Sequence, residues 1–254
     1  MSDLALVTEI VEQLRAADTD SVLVRIIADV SQALGFDHFA LIHHADLSRL
    51  SPSLIHMDNY PAVWRECYVA DKLYLDDPIL HACVRTHLGF AWNDIGNTIA
   101  LSKRQRLILE NARSEGVGEG FTVPINIPGE VNGSCSFATR FGKELPRNYL
   151  MLAQLLGGFA FQAARRLRQT ASPNSEPQLP LLTPRQRECV VLVGNGKSDW
   201  EIATILGLRE DTVTKYLNAA RERYGVARRM QLVVAAIYDG QISLSELQCP
   251  LKRT

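Results

Sequence analysis

Three aromatic residues with polar groups recur at intervals of four in the segment YPAVWRECY. Tyr60, Trp64 and Tyr68 therefore share one face of a predicted helix, and Asp77 and Trp92 follow them along the chain. An aromatic stripe at this spacing usually packs in a hydrophobic core. Each ring, however, carries an O–H or N–H group, and a buried aspartate beside them needs a donor. A small ligand with carbonyl groups and an amide N–H would satisfy all of them in an apolar pocket, so both interpretations stay open.

The elements that must position these residues begin with helices. Apolar residues at helical spacing predict one helix that contains Leu4 and Leu14 and a second over about 21–35. Further helices are expected near residues 61–70, 77–86, 103–115 and 145–169.

Strand patterns alternate with these helices but do not follow a regular βαβ order. HFALIH (38–43) and the segment 53–57 are predicted strands. GFTVPINI and GSCSFATR are separated by turn residues and predict an antiparallel hairpin. The N-terminal part is therefore expected to be an α/β/α sandwich on an antiparallel sheet.

A linker is predicted at residues 170–180, TASPNSEPQLP, where three prolines and two serines stand with a single large apolar residue. Such a segment buries little surface and tends to be extended. We therefore expect domains at 1–169 and 181–246.

Helix-capping patterns divide the C-terminal segment. Thr183, Pro184 and Gln186 have the pattern of a capping box with proline in the first turn, and Ser198 with Glu201 repeats the box. Two helices should begin at these positions.

Two further helices are predicted after Gly207, the second at about 229–238. The first has an apolar stripe formed by Val213, Leu217, Ala220 and Tyr224. Four short helices, the middle two joined by a tight turn, describe an all-α helix-turn-helix domain with its motif at about 200–219. From geometry alone, a four-helix interaction module with a solvated basic face is the alternative.

The strings TPRQRECVVLVGNGKSDWEIATILGL, TV and YGV resemble the LuxR-type DNA-binding domain over about 60 residues. The resemblance implies that the helix from about Arg209 is a recognition helix that enters the major groove. The residues implied in base or phosphate contacts are Lys197, Thr214, Lys215, Asn218, Arg221, Arg228 and Arg229.

The segment departs from the family pattern at three places. Gln186 replaces the usual glutamate, Val190 replaces the usual leucine, and the recognition helix lacks a serine cap. Thr214 stands where relatives commonly have a basic residue. The domain should tolerate the first two changes, and the operator preference is left open.

A second resemblance extends over nearly the whole chain, to the acyl-homoserine-lactone receptors of the LuxR family. It is carried by Tyr60, Trp64, Tyr68, Asp77, Pro78, Trp92 and Gly120. It implies that Trp64 donates to the lactone carbonyl, that Asp77 accepts from the amide N–H, and that Tyr68 and Ser136 bind the acyl carbonyl. The remaining ligand contacts would be made by Tyr60, Pro78, Ile79, Trp92 and Thr122. Neither the acyl chain length nor its substitution can be deduced.

Composition and motifs argue against several other classes of protein. The 254 residues have a net charge of -1, lack a transmembrane segment and begin without a cationic signal-peptide region. The five cysteines are widely spaced and are interpreted as buried thiols, which predicts neither disulfides nor a metal site. No catalytic motif occurs, so we expect neither an enzyme nor a cofactor. Asp76 and Asp77 could suggest a phosphorylated receiver domain, but the helical start argues against one.

The predicted function is that of a cytoplasmic, lactone-responsive quorum-sensing regulator. As a homodimer joined through the helix near 145–169, it would bind a two-fold symmetric DNA operator and activate transcription with RNA polymerase. The alternative is a LuxR-type regulator that is independent of ligand, senses a different signal, or inhibits a partner through mixed dimers.

Overall fold

Alternating apolar residues build a five-stranded antiparallel sheet in the computed structural model, which describes residues 3–47, 52–128, 130–171 and 181–247. The strands are β1 (His38–His43), β2 (His56–Asp58), β3 (Phe90–Ala91), β4 (Val117–Ile125) and β5 (Gly133–Arg140). Their order in the sheet is β2-β1-β5-β4-β3, and each neighbouring pair is antiparallel. The predicted hairpin is confirmed as β4 and β5.

The two faces of this sheet follow the period of two along each strand. Phe39 pairs with Phe137, and Leu41 pairs with Cys135, and all four side chains are buried in the main core. The intervening residues point to the opposite face, where Ser136 and its neighbours line a cavity.

Helices cover both faces of the sheet. One side is covered by α1 (Asp3–Ala16), α2 (Asp20–Ala33) and the long α6 (Leu150–Ala171). On the other side lie α3 (Ala62–Ala70), α4 (Pro78–Cys83) and α5 (Lys103–Ser114). The predicted α/β/α sandwich on an antiparallel sheet is confirmed.

Several predicted boundaries were wrong. The strand expected at 53–57 is β2, which is shorter and begins three residues later, because only residues 56–58 pair with β1. Tyr60 does not share a helix with Trp64 and Tyr68, since Pro61 is the N-cap residue of α3. The helix expected from 145 begins at 150, after Pro146 and a short 3-10 turn.

Four helices form the second unit, whose boundary with the first falls between residues 171 and 181. They are α7 (Pro184–Gly194), α8 (Asp199–Leu206), α9 (Glu210–Tyr224) and α10 (Arg229–Tyr238). Both predicted capping boxes are present, at Thr183 and at Ser198. Gly207 ends α8 with a positive φ of 66°, a conformation that glycine adopts without steric cost, and the chain turns into α9.

The core of the second unit is formed by one face of each helix. Val213, Leu217 and Ala220 are buried as predicted and pack with Val190 and Ile202. The predicted all-α helix-turn-helix domain is confirmed.

The cysteines were interpreted as buried thiols, and this was wrong for Cys67. Cys83, Cys135 and Cys189 are buried, but Cys67 is exposed on α3, where Trp64 is the buried residue. Cys249 lies outside the described residues. Within the described ranges, the model contains no helix with the length and apolar character needed to cross a membrane.

The capping box at Ser198 should contribute measurably to the stability of the second unit. The Ser198 hydroxyl accepts from the Glu201 amide, and the Ser198 amide donates to the Glu201 carboxylate at 2.8 Å. We expect Ser198→Ala to lower the free energy of unfolding by about 1 kcal/mol in urea titrations of the full chain. Thr204→Ala, which changes an exposed residue of the same helix, is the control. Equal stability of the two variants would contradict the capping role.

Candidate functional site

A cavity opens between the sheet and helices α3 to α5. Its volume is about 90 Å³, several times the roughly 10–15 Å³ that one water needs. The apolar lining comes from Ala40, Ile42, Val69, Ile79, Leu80, Ile108, Leu109, Ala112 and Val117. The polar and aromatic lining comes from His56, Asp58, Tyr60, Trp64, Arg65, Tyr68, Asp77, Trp92 and Ser136. This is the composition of a small-molecule site.

Seven of the nine residues predicted to bind ligand line this cavity, namely Tyr60, Trp64, Tyr68, Asp77, Ile79, Trp92 and Ser136. The other two are buried but are not part of the lining. Pro78 is the first residue of α4, and Thr122 is buried beside Ser136. The cavity therefore brings together residues from helices α3, α4 and α5 and from strands β1, β2, β4 and β5.

Asp77 holds one end of the polar lining in place. Its Oδ1 caps α4 by accepting from the Ile79 amide at 2.7 Å, and its Oδ2 accepts from the Tyr68 hydroxyl at 2.5 Å. Burial raises the pKa of Asp77 above its ordinary value, while the hydrogen bonds from Tyr68 and the backbone act in the opposite direction. The carboxyl group is thus a desolvated acceptor with both oxygens already oriented.

A relay of three side chains positions Ser136. The Trp92 indole N–H donates to Thr122 Oγ1 at 2.8 Å, and Thr122 Oγ1 lies 2.8 Å from Ser136 Oγ. Either hydroxyl can be the donor in this contact, and Thr122 Oγ1 also accepts from Trp92, so the pair holds Ser136 Oγ at the cavity wall. When Thr122 donates, the proton of Ser136 is left for a ligand in the cavity.

Trp92 occupies its position because residue 120 has no side chain. A Cβ atom on Gly120 would lie 2.4 Å from Trp92 Cε2, which is a direct clash. The indole therefore packs against the backbone of β4 and reaches Thr122.

Two lining residues retain uncommitted donors. Neither the Trp64 indole N–H nor the Tyr60 hydroxyl makes a hydrogen bond to any residue that the structure describes. Burial raises the pKa of Tyr60 far above its ordinary value, and the Asp58 and Asp77 carboxylates add to the shift, so the phenol keeps its proton. The cavity therefore presents free N–H and O–H donors together with a carboxyl acceptor.

The sequence analysis missed a charged group in the lining. Asp58 accepts from the Tyr60 amide at 3.1 Å and lies 3.6 Å from the Arg65 guanidinium and 3.9 Å from His56. Burial raises the pKa of Asp58, and His56, the Tyr60 amide and Arg65 oppose that shift. The group fixes the backbone that carries Tyr60. The sequence signal that could have indicated this charged group is Arg65, a cation directly after Trp64 in the predicted site helix.

The predicted DNA-contact residues lie in two groups and at two separate positions. Thr214 donates to Asp199 Oδ2 at 2.9 Å, and Arg229 contacts Asp199 Oδ1 at 3.3 Å and the Lys197 carbonyl at 2.8 Å. Asn218 accepts from Arg221, whose guanidinium also donates to the Ala227 carbonyl. Lys215 is exposed on α9, and Arg228 is exposed at the start of α10.

A ligand-sized apolar cavity in one unit and a helix-turn-helix in the other define a ligand-binding, DNA-binding regulator. Family models agree with this class: the autoinducer binding domain matches residues 19–164, and the luxR family of bacterial regulatory proteins matches residues 180–236. The chain belongs to the LuxR-type quorum-sensing transcription regulators, as its sequence suggested. Members of this family are not enzymes.

Individual relatives agree with this assignment. The chain is 32% identical over 197 residues to the transcriptional activator VanR of Vibrio anguillarum, covering 73% of this chain and 76% of that protein. It is 26% identical over 237 residues to the transcriptional activator LuxR of Aliivibrio fischeri, covering 92% and 93%. Both are named as activators, and the family supports transcription activation here.

A solved structure has the same fold. The crystal structure of Escherichia coli SdiA superposes with a TM-score of 0.65 at 22% identity, over 95% of this chain and 100% of that chain. A second SdiA structure, in complex with octanoyl-rac-glycerol, has a TM-score of 0.64 at 23% identity, over 94% and 97%.

Removing the Tyr68 hydroxyl should destabilise the protein in a pH-dependent way. The folded state holds the Asp77 proton more tightly than the unfolded chain, so stability falls as pH rises from the ordinary pKa to the raised one. Tyr68→Phe removes the hydrogen bond that favours the charged form of Asp77. The free energy of unfolding should therefore decrease more steeply with rising pH in this variant. We expect a loss of about 1.5–3 kcal/mol near pH 7 and a smaller loss near pH 3, measured by urea unfolding.

Tyr149→Phe, at an exposed tyrosine, is the matched control and should change stability at neither pH. If Tyr68→Phe caused an equal loss at both pH values, the Tyr68 hydroxyl would not favour the charged form of Asp77.

Proposed function

We propose that the protein binds an N-acyl-homoserine lactone in this cavity and then, as a homodimer, binds a two-fold symmetric operator to activate transcription. The observation that carries the proposal is the set of polar groups in one apolar cavity: the Asp77 acceptor with free donors on Trp64 and Tyr60. An acyl-homoserine lactone offers one amide N–H and two carbonyl oxygens, which is the complementary set.

The two carbonyl groups of the ligand can be assigned to lining donors that are not committed to a partner among the described residues. Trp64 donates to the lactone carbonyl, and Asp77 accepts from the amide N–H. The acyl carbonyl was expected to bind Tyr68 and Ser136, but the Tyr68 proton is committed to Asp77. We therefore assign the acyl carbonyl to Ser136 and Tyr60, and Tyr68 orients the carboxyl group.

The other predicted contacts support these groups. Pro78 and Ile79 begin the helix that Asp77 caps, Thr122 holds the Ser136 hydroxyl at the cavity wall, and Trp92 closes a wall. The acyl chain lies along the apolar lining of α5 and the sheet. A ligand buried there becomes part of the core, so it stabilises the folded state by mass action.

The ligand proposal is tested by thermal unfolding of the full chain with lactones from butanoyl to dodecanoyl. A chain-length-dependent rise in Tm would support it. Octanoyl-glycerol is the discriminating probe because its ester has no amide N–H for Asp77. A rise with octanoyl-glycerol alone would assign a different ligand class, and no rise for a folded protein that still binds DNA would favour the ligand-independent or mixed-dimer regulator.

Asp77→Ala should abolish the rise in Tm that the best lactone produces, because the amide N–H would be buried without an acceptor. Glu110→Ala, at an exposed residue of α5, is the control and should keep the full rise. Asp77→Asn keeps the shape and an acceptor oxygen and should give an intermediate response. Full sensitivity of Asp77→Ala would remove Asp77 from the binding site.

The homodimer is proposed from exposed apolar residues on two helices. Met151 and Leu155 are exposed on α6, the helix expected to form the interface. Met230, Val234 and Tyr238 recur at intervals of four on α10 and are also exposed. Pairing two copies would place two recognition helices on half-sites about one helical turn apart, or a multiple of it.

The DNA contacts are proposed for the exposed side of α9. Lys215, Thr214 and Asn218 lie opposite the buried stripe, while Lys197, Arg228 and Arg229 flank the helix as phosphate-binding cations. Asp199 already neutralises Arg229, so we expect Lys215 and Arg228 to dominate the salt dependence. Binding DNA and contacting RNA polymerase place the protein in the cytoplasm.

Lys215→Ala combined with Asn218→Ala should weaken operator binding while lactone-dependent stabilisation persists. Loss of the lysine charge should lower the slope of log affinity against log salt by about one. Lys103→Ala, an exposed cation of α5, is the charge-matched control and should leave both DNA binding and the slope unchanged. Loss of both DNA binding and ligand response would indicate misfolding.

A further inference from the structure

Asn218 is held by a neighbour on its own helix. Its side-chain oxygen accepts from Arg221 Nη2 at 2.5 Å, and Arg221 Nη1 donates to the Ala227 carbonyl at 2.7 Å. A guanidinium has donors and no acceptor, so the amide atom that faces it must be Oδ1. The Asn218 NH₂ group therefore keeps both protons for an outside partner, while one lone pair of Oδ1 is already used.

Thr214 lies one turn earlier on the same side of α9. It acts as a donor to its internal partner, whereas Asn218 acts as an acceptor. The Thr214 hydroxyl donates to Asp199 Oδ2 at 2.9 Å, because a carboxylate can only accept. Asp199 Oδ1 forms an ion pair with Arg229 Nη1 at 3.3 Å but accepts no hydrogen bond from the described residues, and Arg229 also donates to the Lys197 carbonyl. With its proton used, Thr214 can offer only lone pairs and its methyl group.

We propose that Arg221 and Asp199 are positioning residues that set the hydrogen-bond polarity of the recognition helix. In the bound complex, Asn218 acts as a donor and Thr214 as an acceptor. This inference rests on the proposed function, in which α9 enters the major groove.

The proposal predicts which base edges the operator must present. Guanine offers two acceptors, O6 and N7, thymine offers O4 and adenine offers N7, whereas the exocyclic amino groups of cytosine and adenine are donors. Asn218 should therefore face a base that has an acceptor, guanine foremost, and should disfavour cytosine, which offers only a donor. Thr214 should face cytosine or adenine.

The first experiment selects binding sites from a randomised duplex library with the full chain, produced with the lactone that raises its Tm most. Asn218→Ala and Thr214→Val then identify the base pair that each side chain reads, as the position whose preference is lost. The expected result is an acceptor base at the Asn218 position and an amino-bearing base at the Thr214 position.

The second experiment separates positioning from folding. In Arg221→Ala the amide is free to rotate and to present its oxygen, so affinity for cytosine relative to guanine at the Asn218 position should rise about tenfold. Arg221→Lys keeps a donor and should restore the original preference. Arg223→Ala removes the same charge from the same end of α9 and should leave base preference unchanged. If Arg221 had only a structural role, Arg221→Ala would lower stability and leave the base preference at the Asn218 position unchanged.

Asp199 is tested by a parallel pair. Asp199→Ala frees the Thr214 hydroxyl to donate, so discrimination between amino and carbonyl edges at the Thr214 position should fall about tenfold. Asp199→Asn keeps an oxygen acceptor and should preserve it.

Each outcome is decisive. Cytosine preferred by the unaltered protein at the Asn218 position, or a preference unchanged in both Arg221→Ala and Asp199→Ala, would overturn the inference while leaving the regulator function intact. DNA binding with no base preference would overturn the proposed function itself, and the inference with it.

Discussion

The buried carboxyl group of Asp77 is the constraint on which the ligand-binding unit depends. Transfer of such a group into an apolar interior is costly unless donors surround it, and here they come from the α4 backbone and from Tyr68. One oxygen thereby fixes the start of α4, which brings Ile79 to the cavity, and the other fixes Tyr68 on α3. The proposed ligand would contact the same carboxyl group, so binding and folding share one set of hydrogen bonds. A ligand that completes this set stabilises the helices that surround it.

Patterns that depend on adjacent residues predicted much of this unit. The alternation in HFALIH gave β1 to the residue, and the turn residues after β4 gave the hairpin. The predictions that failed concerned features that depend on residues distant in the sequence. Ala40 and Ile42 line the cavity because β1 turns that face toward α3 to α5, and no local pattern specifies which face remains uncovered. The stripe containing Tyr60 was assigned to a single helix, although the N-cap at Pro61 leaves Tyr60 in the preceding segment, where Asp58 holds its amide.

The second unit shows the same division between local and tertiary information. Thr183 and Ser198 cap helices through residues three positions away, so the sequence was sufficient to place both helix starts. The contact of Thr214 with Asp199 joins residues 15 positions apart, and it forms only when α8 packs on α9. The sequence pattern treated Thr214, Asn218 and Arg221 as independent DNA contacts. The structure instead pairs Asn218 with Arg221 and Thr214 with Asp199, which leaves fewer free groups but gives each a defined direction.

Both units contain side chains whose hydrogen bonding is constrained by a neighbouring residue. In the cavity, Trp92 and Thr122 hold the Ser136 hydroxyl, and on α9 a guanidinium and a carboxylate orient two side chains in opposite senses. A hydroxyl or amide that can rotate accommodates either kind of partner, so it discriminates weakly. Once an internal partner holds it, a mismatched ligand or base leaves a desolvated group unpaired, at a cost of about 1–3 kcal/mol. Selectivity then arises from the penalty on the wrong partner, and the internal partners that hold each group determine it.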